Sequence, residues 1–255
     1  MSNININNTT LHYNDYGSGA VIVFIHGNGS SLKMYDSEIR YYANYYRTIA
    51  FDLPGHGKSS PYNDDNGVNF WKYSAELLKQ ALRELGVRKY VIIGVDGGAI
   101  VGLYLAITDK ENAEGLFADS FEGNRLSMEY VNKIDKERKR IQENFFYRRF
   151  YRYLHGAMWH ENLNNDSKIL KAFAENQECF FNETIDFYSP VVLSCSTKDR
   201  EITQVVSKME ELAKLIPNVK IITFQGGKHP SCLSNRDSYR LMVKRFMDDK
   251  TVEIS

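Results

Sequence analysis

Apolar runs of strand length alternate along this chain with segments whose apolar residues recur at helical spacing. Residues 4–15 alternate weakly through Ile4, Ile6, Leu11 and Tyr13, and Tyr16-Gly17-Ser18-Gly19 makes a turn, which predicts a first antiparallel pair. Val21–Ile25 is continuously apolar, the pattern of a strand buried on both faces. Further strands are predicted at Arg47–Phe51, Tyr90–Val95, Gly115–Ala118, Pro190–Cys195 and Val219–Phe224. Helical spacing predicts helices near residues 34–44, over 70–85 with a stop at Gly86, after Asp96, over 203–216 and from Arg236 to Met247. Strands that alternate with helices imply right-handed crossovers and a mainly parallel sheet, so the fold class is α/β. Ligands then bind at the carboxyl ends of the strands, which puts Asn28, Asp96 and the loop from Asp119 to Glu122 on one edge.

Residues 124–187 break the alternation with a long helical stretch. Its basic run, Lys133, Lys136, Arg138, Lys139 and Arg140, reads as a solvated helix face. Aromatics follow at Phe145, Phe146, Tyr147, Phe150, Tyr151, Tyr153 and Trp159; most are expected to pack, and one or two to touch a ligand. Apart from an Asn-rich start and a polar loop around residues 63–67, the chain shows neither repeats nor low-complexity linkers.

The length of 255 residues suits one sizeable domain carrying an insertion. Lys+Arg and Asp+Glu balance at 32 each, which gives no global field for nucleic acid or an anionic membrane. The partner expected is therefore a small molecule, with no nucleic acid and no membrane. Cys179, Cys195 and Cys232 have neither paired nor metal-ligand spacing, so a reduced cytoplasm is the expected compartment and no metal is expected. The amino terminus lacks the pattern of a signal peptide, and no apolar run reaches membrane-spanning length.

The most informative stretch is Tyr90–Ala106, where a β-branched run meets Gly94-Val95-Asp96-Gly97-Gly98 and gives way to helix-period residues without a breaker. That pattern predicts a strand turning sharply into a helix, with glycines where the two backbones pass too close for a β-carbon. The pivot, Asp96, would be held in a strained conformation with its side chain pushed outward. An alternative reading makes Asp96 an ordinary helix N-cap.

This segment resembles the nucleophile elbow of the α/β-hydrolase superfamily, with aspartate where most members carry serine. His26-Gly27-Asn28-Gly29 resembles the family's oxyanion loop, and Asp52-Leu53-Pro54-Gly55-His56-Gly57-Lys58-Ser59 a companion loop of the same family. The resemblance implies an α/β-hydrolase core at residues 1–123 and 188–255 and a helical cap at 124–187. It also implies a triad of Asp96, His229 and Asp199, each following a strand, and an oxyanion hole from the N–H groups of Asn28 and Gly97. His26 is expected to hold its loop. Tyr147, Tyr151, Trp159 and Glu122 are the candidate pocket residues, with Glu122 also a second candidate for the acid. No cofactor is implied.

An aspartate at the elbow changes the chemistry expected. Attack by a carboxylate on an acyl carbonyl gives a poor mixed anhydride, whereas attack on an sp3 carbon bearing a leaving group gives a stable alkyl ester that histidine-activated water can hydrolyse. Asp96 thus points to carbon–halogen or epoxide opening on a small, mainly apolar substrate. Gly97 departs from the tryptophan typical of haloalkane dehalogenases, and Gly29 from the H-G-x-P loop of epoxide hydrolases. Two other readings stand beside it: a serine-type esterase or peptidase lineage in which Asp96 has replaced the serine, and a non-enzymatic sensor of a small ligand.

Overall fold

The computed structural model describes residues 2–62 and 69–249; the polar loop expected at 63–67 lies outside them. Eight strands, β1 (Ser2–Ile6), β2 (Thr9–Tyr16), β3 (Val21–Ile25), β4 (Arg47–Phe51), β5 (Tyr90–Val95), β6 (Ala113–Asp119), β7 (Val191–Ser196) and β8 (Val219–Phe224), form one sheet. They lie in the order β1-β2-β4-β3-β5-β6-β7-β8. The pair β1–β2 and the pair β2–β4 are antiparallel, and every pair from β4 through β8 is parallel.

The continuous apolar strands are explained by helices on both faces. Val23 and Ile25 pack with α2 (Phe70–Glu84) and α3 (Gly97–Thr108), while Ile22 and Phe24 pack on the opposite face with α1 (Asp36–Tyr42) and the carboxyl-terminal helix. Successive strand residues point to opposite faces, so both parities of β3 must be apolar. Between β6 and β7 the chain makes three helices, α4 (Met128–Glu143), α5 (Phe145–His155) and α6 (Trp159–Glu175). Helix α7 (Val205–Ala213), a short α8 (Ser231–Ser234) and α9 (Arg236–Asp249) complete the fold. Among the described residues, no helix is long and apolar enough to cross a membrane.

Helices α4 and α6 are anchored to the main core, α4 through Tyr130 and Val131 and α6 through Ile169, Leu170 and Phe173. The Phe173 ring meets Trp71 of α2 at 5.0 Å and stacks on Phe180 at 4.3 Å. Helix α5 buries far less: only Leu154 and His155, at its carboxyl end, are inaccessible.

From β3 the chain crosses to β4 on one side and later returns to β5 on the other. The order in which strands are added therefore reverses at β3, between β4 and β5, and the crevice beyond the carboxyl ends of β3 and β5 is the usual ligand position in such sheets.

Candidate active site

Asp96 is the single residue between β5 and α3, with φ 51° and ψ −124°. A non-glycine residue reaches this region only at a cost of about 1–3 kcal/mol, and such strain collects at functional positions. The surrounding structure enforces it: Asp96 N–H donates to the Asp119 carbonyl at 2.9 Å, and the Asp96 carbonyl accepts from Ala99 N–H at 2.9 Å. The helix then passes so close to β3 that a Cβ on Gly98 would lie 2.3 Å from the Ile25 carbonyl oxygen. Asp96 makes no side-chain cap bond to α3, so the ordinary N-cap alternative does not hold.

The carboxylate is held instead by two groups from outside the elbow. Asn28 N–H, just beyond β3, donates to Oδ2 at 3.1 Å, and the Tyr130 hydroxyl of α4 donates to Oδ1 at 3.0 Å. Burial pushes the Asp96 carboxyl above the ordinary carboxylate range, partly offset by the charge of His229 and by the bonds from Tyr130 and Asn28. The Asn28 side chain lies over Gly97, where a Cβ would come 2.0 Å from its Oδ1. Asn28 Nδ2 is buried with no hydrogen-bond partner among the described residues.

Loops after β7 and β8 bring Asp199 and His229 together. His229 Nδ1 and Asp199 Oδ2 lie 3.0 Å apart, and Asp199 Oδ1 accepts from the N–H groups of Glu201 and Ile202 at 2.8 and 3.1 Å. Burial alone would lower the His229 pKa, but its bond to Asp199 and the charges of Asp96, Asp199 and Asp119 outweigh it and leave it raised. Burial would likewise raise Asp199; the His229 partner and the two N–H donors override it and hold the carboxyl low. Beneath His229, the wholly buried Asp119 accepts from Ser194 Oγ at 2.7 Å and Cys232 N–H at 3.0 Å, which ties the histidine loop to β6 and β7.

Glu122 lines a small cavity of about 10 Å³ with Asn28, Trp71, Asp96 and Gly97, roughly the space of one water. Its oxygens are taken by Lys208 Nζ at 2.7 Å and by Ser127 Oγ at 2.9 Å. Tyr147 and Tyr151 do not line this cavity; they face an outer groove between α4 and α5. Trp159 is buried with Ile141 and Leu163 inside the helical insertion. Tyr130 reaches the site in their stead, and its only sequence signal is a place on the apolar face of α4 with Val131 and Ile134.

The oxyanion-type loop is held from two sides. His26 Nε2 accepts from Leu53 N–H at 3.0 Å while its Nδ1 donates to the Gly27 carbonyl, so it bridges loops as expected. His155 of α5 accepts from Gly57 N–H at 3.1 Å through Nδ1 and donates to the Gly29 carbonyl at 3.0 Å through Nε2. Arg138, expected on a solvated face, is buried and pairs with the buried Asp166, which also meets His56 Nε2 at 3.0 Å. A carboxylate 28 positions along the chain compensates the guanidinium's desolvation, which explains the departure. Among the described residues, no cluster of His, Cys, Asp or Glu is arranged to hold a metal.

Residues 20–149 match the family model for the alpha/beta hydrolase fold. A non-heme haloperoxidase of Rhodococcus erythropolis is 23% identical, over 94% of this chain and 96% of that protein. A haloalkane dehalogenase of Mesorhizobium japonicum is 30% identical over 45% of this chain and 37% of its own length. Among solved structures, an epoxide hydrolase from Bacillus megaterium superposes with a TM-score of 0.72 at 15% identity, covering 97% of this chain and 100% of that one.

Proposed function

This chain belongs to the alpha/beta hydrolase fold family and is a hydrolase of that family, and we propose that it opens a carbon–oxygen or carbon–halogen bond of a small, mainly apolar molecule through an ester on Asp96. The reading rests on one observation above all: the elbow side chain is a carboxylate with one oxygen in the place of an oxyanion and the other under a hydroxyl donor. A core of residues 1–123 and 188–255 carries the reacting groups, and residues 124–187 act as the cap that supplies Tyr130.

In the first step, Asp96 Oδ1 attacks the sp3 carbon, a carbon–oxygen ester bond forms, and the bond to the leaving group breaks with its electron pair. Tyr130, hydrogen-bonded to Oδ1 in the resting site, hands its proton to an epoxide oxygen as that oxygen leaves. A halide needs no proton. In the second step, neutral His229 removes a proton from water, and the hydroxide adds to the Asp96 carbonyl carbon. The charge on Oδ2 is met by the N–H of Asn28 and that of Gly97. Collapse breaks the bond to Oδ1, the alcohol leaves with that oxygen and a proton from His229, and the proton left on the rebuilt Asp96 carboxyl passes to Tyr130 after epoxide opening or to solvent after halide loss. Asp199 orients His229 and stabilises its charged form.

A second reading is favoured by the lack of space: the cavity at Asp96 is about 10 Å³, and the Asn28 side chain covers Gly97. In it, Asp96 has replaced the serine of an esterase or peptidase lineage and catalysis is weak or lost. Intact-protein mass spectrometry of His229→Ala incubated with haloalkanes, epoxides and activated esters separates the two. A stable adduct mapped to Asp96 establishes the ester route and its substrate class. Absence of any adduct, together with p-nitrophenyl ester turnover gained by Asp96→Ser, would replace it with the second reading.

A further inference from the structure

Helix α5 has the sequence Phe-Phe-Tyr-Arg-Arg-Phe-Tyr-Arg-Tyr-Leu-His from Phe145 to His155. Only its carboxyl-terminal Leu154 and His155 are buried, yet it presents the largest group of exposed aromatics among the described residues. Phe146 is 78% exposed, Phe145 63% and Phe150 52%. At 100° per residue, Phe146 and Phe150 form one stripe, which ends at Tyr153, where Lys33 lies over the ring at 4.5 Å, and Arg148, Arg149 and Arg152 form an adjoining one. The helix contains no acidic residue, its three arginines are exposed, and none of them makes an ion pair with another described residue. Exposed Lys139 and Arg140 of α4 extend the basic surface.

Apolar rings this exposed are costly on a surface that meets only water, and a contiguous patch of them marks an interaction face. An aromatic stripe beside an arginine stripe on a surface helix is the arrangement of a helix lying in a lipid interface, rings among the upper acyl carbons and guanidinium groups at the phosphates. We propose that α5 is a peripheral docking helix for an anionic lipid surface. A second copy of the chain fits less well, because the same face of another α5 carries no acidic residue to pair with the three arginines. A groove of about 660 Å³ beside the stripe is walled by Phe146, Phe150 and Tyr151 on one side and by Glu137, Arg140 and Glu201 on the other, so the rings at its rim, and not the groove itself, are the part that enters the lipid.

The docking helix is also joined to the candidate site. Its Tyr153 hydroxyl donates to Asp36 at 2.7 Å, and His155 bonds the Gly29 carbonyl beside Asn28. This inference concerns a surface and stands apart from the ester reaction, so either can fail alone.

Vesicle co-sedimentation of the full chain tests it, comparing phosphatidylcholine vesicles with vesicles that also contain phosphatidylglycerol. The wild type should bind the anionic vesicles more tightly. Phe146→Ser with Phe150→Ser should weaken that binding by about tenfold or more, since each buried ring contributes about a decade or more of partition. Arg148→Gln, Arg149→Gln and Arg152→Gln together should abolish the preference for phosphatidylglycerol. Both variants change exposed side chains, so unchanged circular dichroism and melting would show that folding is not the cause. The proposal is overturned if the folded wild type binds neither vesicle, if the double phenylalanine variant binds as tightly as the wild type, or if gel filtration shows a dimer that this variant dissociates.

Discussion

The Tyr130 hydroxyl and Asp96 Oδ1 are 3.0 Å apart, and the contact joins the helical insertion directly to the strained apex of the elbow. The donor stands at the oxygen assigned to attack, so it must exchange partners when substrate arrives. An epoxide oxygen, which leaves as an alkoxide and needs a proton, profits from that exchange; a halide profits much less.

Tyr130→Phe should therefore cut kcat/KM for an epoxide by about 10²-fold, the usual scale of a lost general acid. The loss for a haloalkane of matched carbon skeleton should be several-fold smaller. Steady-state kinetics on the pair decide the matter, and equal losses for both substrates would assign Tyr130 to shaping the pocket.

Single turnover in ¹⁸O-labelled water should leave the label on Asp96 and not in the first alcohol formed. The product takes Oδ1, and the carboxylate is rebuilt with the oxygen of water. Peptide mass spectrometry of the elbow reads this directly. Label in the first-turnover product alone would mean that water attacked the substrate itself.

The pH profile follows from the raised pKa of His229. The base works when neutral, so ester hydrolysis appears only as pH rises through the His229 pKa, which its bond to Asp199 still raises after Asp96 has lost its charge to the ester. The raised pKa of Asp96 acts in the same sense, because only the carboxylate attacks. Asp199→Asn removes a hydrogen bond and a charge that favour imidazolium, so its acid limb should fall to lower pH along with kcat. A limb that stays put in this variant would count against the pairing.

Gly97→Ala should fold and lose about 10²-fold in kcat, comparable to the loss of one oxyanion donor. Its Cβ would enter the space of Asn28 Oδ1, and the shift of Asn28 would disturb the N–H that meets Oδ2. Burst kinetics should show the second step slowed more than the first.

Acid stability should report on His155. Burial and the nearby His56 lower its pKa to about 4. The folded form thus favours the neutral ring: its contribution is complete above about 6.5 and is lost as pH falls toward 4, a change of roughly 3 kcal/mol. Urea midpoints between pH 7.5 and 4 should fall steeply for the wild type and less steeply for His155→Gln, whose stability at pH 7.5 is lower at the outset.

The sheet and the residues at its edge were legible because they depend on local pattern. Val21–Ile25 and Tyr90–Val95 are apolar at every position but Gly94, and the residues that follow them, Asn28 and Asp96, lie beside each other across the reversal of strand order. The contacts made by α4 were not legible. Tyr130 is one of several apolar positions on that face, and nothing local says which of them reaches Asp96. Arg138 looked solvated among lysines because its partner Asp166 lies two helices away. Charge summed over the whole chain is zero, and that balance concealed a helix carrying three arginines and no acid.

His155 bonds the loops of Gly29 and Gly57 at once, so the helical insertion is latched to the segment that carries Asn28. Loss of those bonds would leave the Asn28 segment without its support from the insertion. One imidazole thus links the insertion, the segment of Asn28 and the loop of Gly57, so a change at His155 reaches the surroundings of Asp96 without touching the carboxylate itself.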